Sequence, residues 1–393
     1  MNAFGIIGGL LIGLIHIFNV IYVGNRLYKW FSYIFPKLNV KIFSLLFGLI
    51  GILTLFSLLP LSLPIWTNYY LRMIGGYITG ILLYVLLFLI LADLIFLIIK
   101  KTTFISINNQ KRVWFLSATL ALCFGLMVSS YGIYNAKQVR ITTYEVELLR
   151  SLKDEMTVVL ISDLHLGEIH SERRLEQVVS YINKISPDIV TIAGDIFNDD
   201  FYALRNPDHV AELFMSIDSR FGVFACLGNH DTGSTVNSMI DFLKNSNVAL
   251  LHDDYVIIDN RLILIGRLDS PLPWMAEGGF GGLKRRDIEY IIEDINNDLL
   301  YLGLGDLPII VMDHNPTHIN EYDNTIDMAL FGHTHRGGMF PFNIVTNLIY
   351  TIHHGHLQLD AYSPHFIVTS GVHGWSMPLR VGSHNEIVKI VMR

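Results

Sequence analysis

The stretch Thr157-Val158-Val159-Leu160-Ile161-Ser162-Asp163-Leu164-His165-Leu166-Gly167 decides how this chain is read. Apolar, largely β-branched residues bounded by polar ones predict a buried strand over 157–162. Strand side chains two apart share a face, so Asp163 and His165 project together from its C-terminal end. A carboxylate beside an imidazole is a mixed oxygen and nitrogen donor set suited to Mn, Fe or Zn, and strand ends are where α/β proteins place their chemistry. An isolated Asp-x-His more often marks a turn. Its weight here comes from the sequence on either side.

Downstream, charges appear and the apolar period alternates between that of strands and that of helices. Strands are predicted at 157–162, 188–193, 222–227, 254–259, 261–266, 308–312, 326–331, 365–369 and 386–391, and helices at 171–185, 208–218, 234–245 and 285–297. The early alternation implies βαβ units, whereas the strands on either side of Asp259-Asn260 imply a hairpin. A mixed α/β domain over 144–393, with sheets packed face to face, accommodates both signals. Five polar clusters each close a predicted strand: Asp163 and His165, Gly194-Asp195, Gly228-Asn229-His230-Asp231, His314, and Gly332-His333-Thr334-His335. If those strands are neighbours, the clusters converge on one edge. Left unpaired there, these groups are costly to desolvate, and two divalent cations would satisfy them together.

In order and spacing these blocks resemble the calcineurin-like metallophosphoesterases, whose pattern D-x-H, GD, GNH(D/E), H, GH-x-H is matched in full over roughly 156–393. The resemblance implies two packed mixed β-sheets flanked by helices, and a phosphoester hydrolase using two divalent metal ions (Mn, Fe or Zn). It implies that Asp163, His165 and His335 hold one metal, that Asn229, His314 and His333 hold the other, and that Asp195 bridges them. A bridging water would be activated as hydroxide and attack phosphorus in line. The resemblance makes His230 the group that stabilises the transition state or protonates the leaving oxygen. Asp231 beside it either orients the His230 ring or caps the helix that follows Gly233.

Glycines 194, 228 and 332 each precede a ligand at a sharp turn where a Cβ is not tolerated. Gly278-Gly279-Phe280-Gly281-Gly282 reads as a flexible connection rather than a lid. His353, His354 and His356 have no acid at ligand spacing and are not read as a further metal site. The end of the chain, Ser370–Gly374 and Pro378-Leu379-Arg380, resembles a bacterial membrane- or wall-associated branch of the family. That branch carries Gly-Gly-Gln after GH-x-H, where this chain has Arg336-Gly337-Gly338, so substrate preference is left open.

Upstream, the composition reverses. The chain of 393 residues is 51% hydrophobic and 16% charged, with a mean hydropathy of +0.43, and the apolar excess lies in the first third. Runs at 3–23, 42–59, 74–99 and 113–133 are each long enough for a bilayer core of about 30 Å, which predicts a four-helix transmembrane region over 1–140. The first run lacks the basic start and cleavage site of a secretory signal and is read as a retained span. Aromatics such as Tyr22, Trp30, Trp66, Tyr70 and Trp114 sit near the run ends, as interfacial belts do. Asp93, the one acid inside a run, is read as a snorkelling or helix-pairing residue.

Lys and Arg in short loops stay in the cytoplasm. Arg26, Lys29, Lys37 and Lys41 near the first connection, and Lys100, Lys101, Lys111 and Arg112 near the third, outnumber Arg72 at the second. Four spans then place the phosphoesterase domain outside, against Lys137 and Arg140; three or five spans are expected to reverse this. The net charge of −7 argues against nucleic-acid binding. Two cysteines make no disulfide framework. The expectation is therefore a multi-pass cell-membrane phosphodiesterase whose partners are a phosphoester, from a lipid headgroup or the cell envelope, and the bilayer. No protein partner can be inferred. A phosphomonoesterase, or a non-catalytic metal-binding scaffold or sensor, is the alternative.

Overall fold

Four helices open the chain: α1 (Ala3–Ile34), α2 (Val40–Ser57), α3 (Ile65–Lys101) and α4 (Gln110–Asn135). The structure, a computed structural model, describes residues 3–59, 63–101, 109–269, 284–374 and 377–393, so the Gly278–Gly282 segment lies outside the described residues. Contacts divide the chain into two units, Met1–Asn135 with Ser376–Val381, and Ala136–Trp375 with Gly382–Arg393.

In the first unit, α2, α3 and α4 are long and apolar enough to cross a membrane. Four helices are present, but among the described residues only three have that character. Helix α1 continues past Val23 to Ile34 and takes in Arg26 and Lys29. Helix α3 starts earlier than the expected 74, at Ile65 just after Pro64, and takes in Arg72 together with the packed rings of Trp66, Tyr69 and Tyr70. Asp93 accepts a hydrogen bond from Tyr22 and pairs with Arg26 at 2.5 Å, which joins α3 to α1 and gives the acid a helix-pairing role. The C-terminal segment also contributes: Arg380 donates its amide to the Gly132 carbonyl, and Asn135 donates to the Arg380 carbonyl, both at 3.0 Å.

The second unit runs β1 (Val139–Val146), β2 (Met156–Ile161), α5 (Ser171–Ile185), β3 (Ile189–Ala193), α6 (Pro207–Met215), β4 (Val223–Cys226), α7 (Val236–Asn245), β5 (Val248–Leu250), β6 (Asp254–Ile258) and β7 (Leu262–Gly266). It continues through α8 (Ile288–Leu302), β8 (Ile309–Met312), β9 (Met328–Phe331), α9 (Phe342–Ile349), β10 (Gly355–Leu357), β11 (His365–Val368) and β12 (Asn385–Met392). One sheet has the order β1-β12-β2-β3-β4-β5 and the other β10-β11-β9-β8-β7-β6. Both are mixed: β2 to β5 run parallel with β12 antiparallel to β2, while β7, β8, β9 and β11 run parallel with β6 and β10 antiparallel at the edges.

Central strands buried on both faces need no polar side. In β2, Val158 and Leu160 join an apolar cluster that also takes in Leu264, Ile310, Met312 and Leu330 of the second sheet, while Val159 and Ile161 face a cluster with Leu175, Val178, Val210 and Met239 of the helices. The second sheet covers its other face with Ile291, Ile295 and Leu299 of α8. Layers of helix, sheet, sheet and helix result. The β6–β7 hairpin turns at Asp259 and Asn260 with φ of 50° and 51°, the left-handed pair that a tight hairpin requires. Strands β1, β5 and β10 and helix α9 escaped the sequence reading. The first three lie at sheet edges, β5 and β10 are only three residues long, and α9 buries no residue.

Candidate metal centre

The loops leaving β2, β3, β4, β8 and β9 carry the five polar clusters, and the backbone there is strained. Asp163, His165, Asp195, His333 and His335 all take positive φ, between 44° and 68°, a conformation costly for residues with a Cβ and typical of functional sites. Bonds between the loops hold it: Asp163 donates its amide to the Gly194 carbonyl, His165 to that of Asp195, and Gly332 to that of His314, each at 3.0 Å. Two glycines make room. A Cβ at Gly194 (φ +75°) would lie 2.6 Å from His314 Nδ1, and one at Gly228 would lie 2.3 Å from Asp195 Oδ1.

Two donor groups result, Asp163 with His165 and His335, and Asp195 with His314 and His333. In the first, His335 Nε2 lies 3.3 Å from Asp163 Oδ1 and 3.1 Å from His165 Nε2. In the second, His314 Nε2 lies 3.1 Å from Asp195 Oδ2 and 3.3 Å from His333 Nδ1. Asp195 Oδ2 is also 3.9 Å from His165 Nε2, so it faces both groups. Asn229 is buried next to Gly228, and among the described residues its Oδ1 has no hydrogen-bond partner. Imidazole nitrogens a little over 3 Å apart cannot both present lone pairs to each other, and an orphaned buried oxygen is costly. A divalent cation in each group relieves both, so these residues fit a metal pair.

Ligand duty requires neutral imidazoles and ionised carboxylates. His165, His333 and Asp195 agree with it, whereas burial would lower His314 but Asp195 beside it outweighs burial and holds that imidazole well above its ordinary value. Burial pushes the His165 imidazole well below its usual value, and burial with His314 nearby takes His333 down to about 3. Burial would raise Asp195, but His314 and His230 outweigh it and hold the carboxyl well below its ordinary range. His314 donates from Nδ1 to the Ala193 carbonyl at 2.8 Å, which aims Nε2 at the centre. Ser162 and the His333 amide both donate to Asp163 Oδ2.

His230 stands beside the paired groups, its ring 5.1 Å from that of His165. Asp231 does not hold that ring. Its carboxylate accepts the amides of Ile196, Phe197 and Gly228 at 2.7–3.1 Å and ties the loop after β3 to the loop after β4. It does not cap α7 either, whose N-cap is Thr235. Asp199 takes the orienting place, 2.8 Å from His230 Nδ1. The sequence offered no spacing rule for Asp199. It did offer a signal for Asp269, which closes β7 just as the other clusters close their strands. Asp269 is fully buried, neither carboxylate oxygen has a hydrogen-bond partner among the described residues, the His318 imidazole lies 3.9 Å from Oδ1, and burial pushes its pKa up to about 7.

The calcineurin-like phosphoesterase family model matches residues 156–337, from β2 to the end of the His333-Thr334-His335 loop. Those residues form a calcineurin-like phosphoesterase domain. Relatives extend the similarity beyond it. A transmembrane protein with metallophosphoesterase domain from Danio rerio is 27% identical over 71% of this chain and 63% of its own length. A metallophosphoesterase of Campylobacter jejuni is 29% identical over 67% of both chains. A third, named UDP-2,3-diacylglucosamine pyrophosphatase, from Chlamydia trachomatis, is 24% identical over 46% of this chain and 63% of that one. The chain thus spans just under two thirds of the Danio relative. Within the phosphoesterase domain lie all seven expected ligands, together with His230, Asp199 and Asp269.

Proposed function

We propose that this chain is a membrane-anchored phosphoester hydrolase that uses two divalent metal ions of the Mn, Fe or Zn group to cleave a phosphodiester of a lipid headgroup or the cell envelope. The observation that carries the reading is Asp195 facing both donor groups. Asp163, His165 and His335 would hold one ion, Asn229, His314 and His333 the other, with Asp195 shared between them. When bound, the ions supply an activated water and offset the charge of the phosphoryl oxygens.

The remaining work falls to the chain's own groups. His230 carries a proton toward the leaving oxygen. Burial lowers its basicity, but Asp195 and the hydrogen bond to Asp199 outweigh that and push its pKa up to about 9. Helix α9, six residues after the ligand loop, exposes Phe342, Ile344, Val345, Leu348 and Ile349. Tyr350 at its end packs its ring 6.1 Å from that of His333. An exposed apolar face beside the centre supports an acylated substrate, as does the relative named for a diacylglucosamine pyrophosphatase.

The reading also includes a multi-pass anchor that leaves the domain 144–393 outside the cytoplasm. Lys100, Lys101, Lys111 and Arg112 hold the α3–α4 connection inside, and only α4 separates it from β1. Dropping α1 from the spans therefore does not change the side, contrary to what a simple count of spans suggests.

The test offers the full-length protein in detergent, loaded with Mn, Fe or Zn, a bis-aryl phosphodiester, an aryl phosphomonoester and a phospholipid. Metal-dependent cleavage of diester and lipid above monoester is expected. Turnover of monoester alone overturns the diester assignment, and no turnover with any metal overturns the hydrolase itself.

A further inference from the structure

Glu386 is the second residue of β12 and is 1% exposed. Two imidazoles that are distant in sequence converge on its carboxylate: His354 Nε2 lies 3.0 Å from Oε2 and His384 Nε2 lies 3.4 Å from Oε1. The two rings stand 5.8 Å apart and nearly perpendicular, at 81°. The acid that the sequence lacked near His354 is thus supplied by tertiary structure.

Counting lone pairs shows why hydrogen bonding alone fits this arrangement poorly. A carboxylate accepts at about four positions. The Thr142 hydroxyl takes one at 2.5 Å, the Thr369 hydroxyl another at 3.2 Å and the Ser370 amide a third at 3.1 Å. The Ser370 hydroxyl, 3.4 Å away, directs its proton to the His384 carbonyl at 2.7 Å. One position is left for two imidazoles. A single cation satisfies both nitrogens and that lone pair together. Ligands about 2.1 Å from a tetrahedral ion sit about 3.4 Å from one another, which the 3.0 and 3.4 Å separations approach. The same signature, donor atoms 3.1–3.3 Å apart, marks the paired groups.

We infer that His354, His384 and Glu386 form a third divalent-cation site of zinc type, separate from the paired centre. Two imidazoles and one carboxylate are a zinc donor set, and Thr142, Thr369 and Ser370 are the outer hydrogen bonds that orient its carboxylate. The site clamps segments that back the paired centre. The Glu386 amide donates to the Gly371 carbonyl at 2.9 Å, and Gly371 packs so closely on Asp163 that a Cβ there would lie 2.7 Å from the Asp163 Cβ. The residue before His354 accepts at its carbonyl from Thr334, between His333 and His335, at 2.6 Å.

The test counts zinc by mass spectrometry in the full-length protein after gel filtration and records the visible spectrum of the cobalt-loaded form. Three zinc ions per chain and a tetrahedral cobalt band are expected. His384→Gln and His354→Gln should each drop one ion and abolish the band, whereas Asp195→Asn should lower the zinc count but keep the band. Two ions and no tetrahedral band in the unaltered chain overturn the site whether or not the variants fold. So does an unchanged count in both variants. Failure of the paired-centre reading would lower the count and abolish turnover, but would leave the tetrahedral band and its loss in the two histidine variants unaffected.

Discussion

Asp195 is the residue where one substitution tests both cations of the paired centre. Asp195→Asn should abolish turnover and lower the bound metal, as metal analysis would show; full occupancy would remove its bridging role. His230 lies beside the ligands rather than among them, so His230→Ala should keep both ions while losing about 10² to 10⁴ in rate, the range of a general acid. Asp199→Asn should cost about 10- to 100-fold with metal content unchanged, as loss of an orienting partner does. Equal rates for the unaltered chain and the Asp199 variant would show that the 2.8 Å contact has no part in catalysis. His230 was legible from its place in Gly228-Asn229-His230-Asp231. Asp199 was not, because it reaches the ring from another loop.

Helix α9 is the element least like its neighbours. Leu348 is 79% exposed and Ile349 66%, whereas α5 and α8 bury their apolar stripes in the sheets. If that face meets the acyl region of a bilayer, Leu348→Glu with Ile349→Glu removes about 1.5 kcal/mol or more per side chain of burial. Cleavage of a phospholipid in vesicles should then fall by at least about tenfold, with a soluble aryl diester cleaved as before. Equal loss on both substrates would assign α9 to the fold or to the centre instead. Strand β1 carries a similar lesson. It pairs in parallel with β12 along its whole length, so a domain cut at 144 would lose its first five residues, Val139 to Thr143.

At the scale of the whole molecule, residues 136–393 contain both sheets and every residue of the paired centre. Produced without the helices, that segment should fold and cleave an aryl phosphodiester, whereas 144–393 should be less stable, with the β12 edge uncovered. Metal binding by the full-length chain alone would defeat the division. The side of the membrane needs a reporter on the surface, and a cysteine at exposed Glu212, with Cys123 replaced, provides one. Labelling by an impermeant thiol reagent in intact cells is expected. Labelling only after lysis would place the domain in the cytoplasm.

What the sequence determined was local: apolar runs that make β2, β3, β4, β8 and β9, polar residues closing each of them, and apolar helices ahead of them. Strand period is a property of consecutive residues and places polar clusters at the strand ends, and the resemblance of those blocks to a known family named Asp163, His165, Asp195, Asn229, His314, His333 and His335 as the expected ligands. Tertiary structure alone decided which groups meet across the sheets. It gave His230 to Asp199 rather than Asp231, buried Asp269 3.9 Å from the His318 imidazole, and set His354 against His384 and Glu386. Those pairings depend on the register of β12 beside β1 and β2 and on how the two sheets pack, and no spacing along the chain records either.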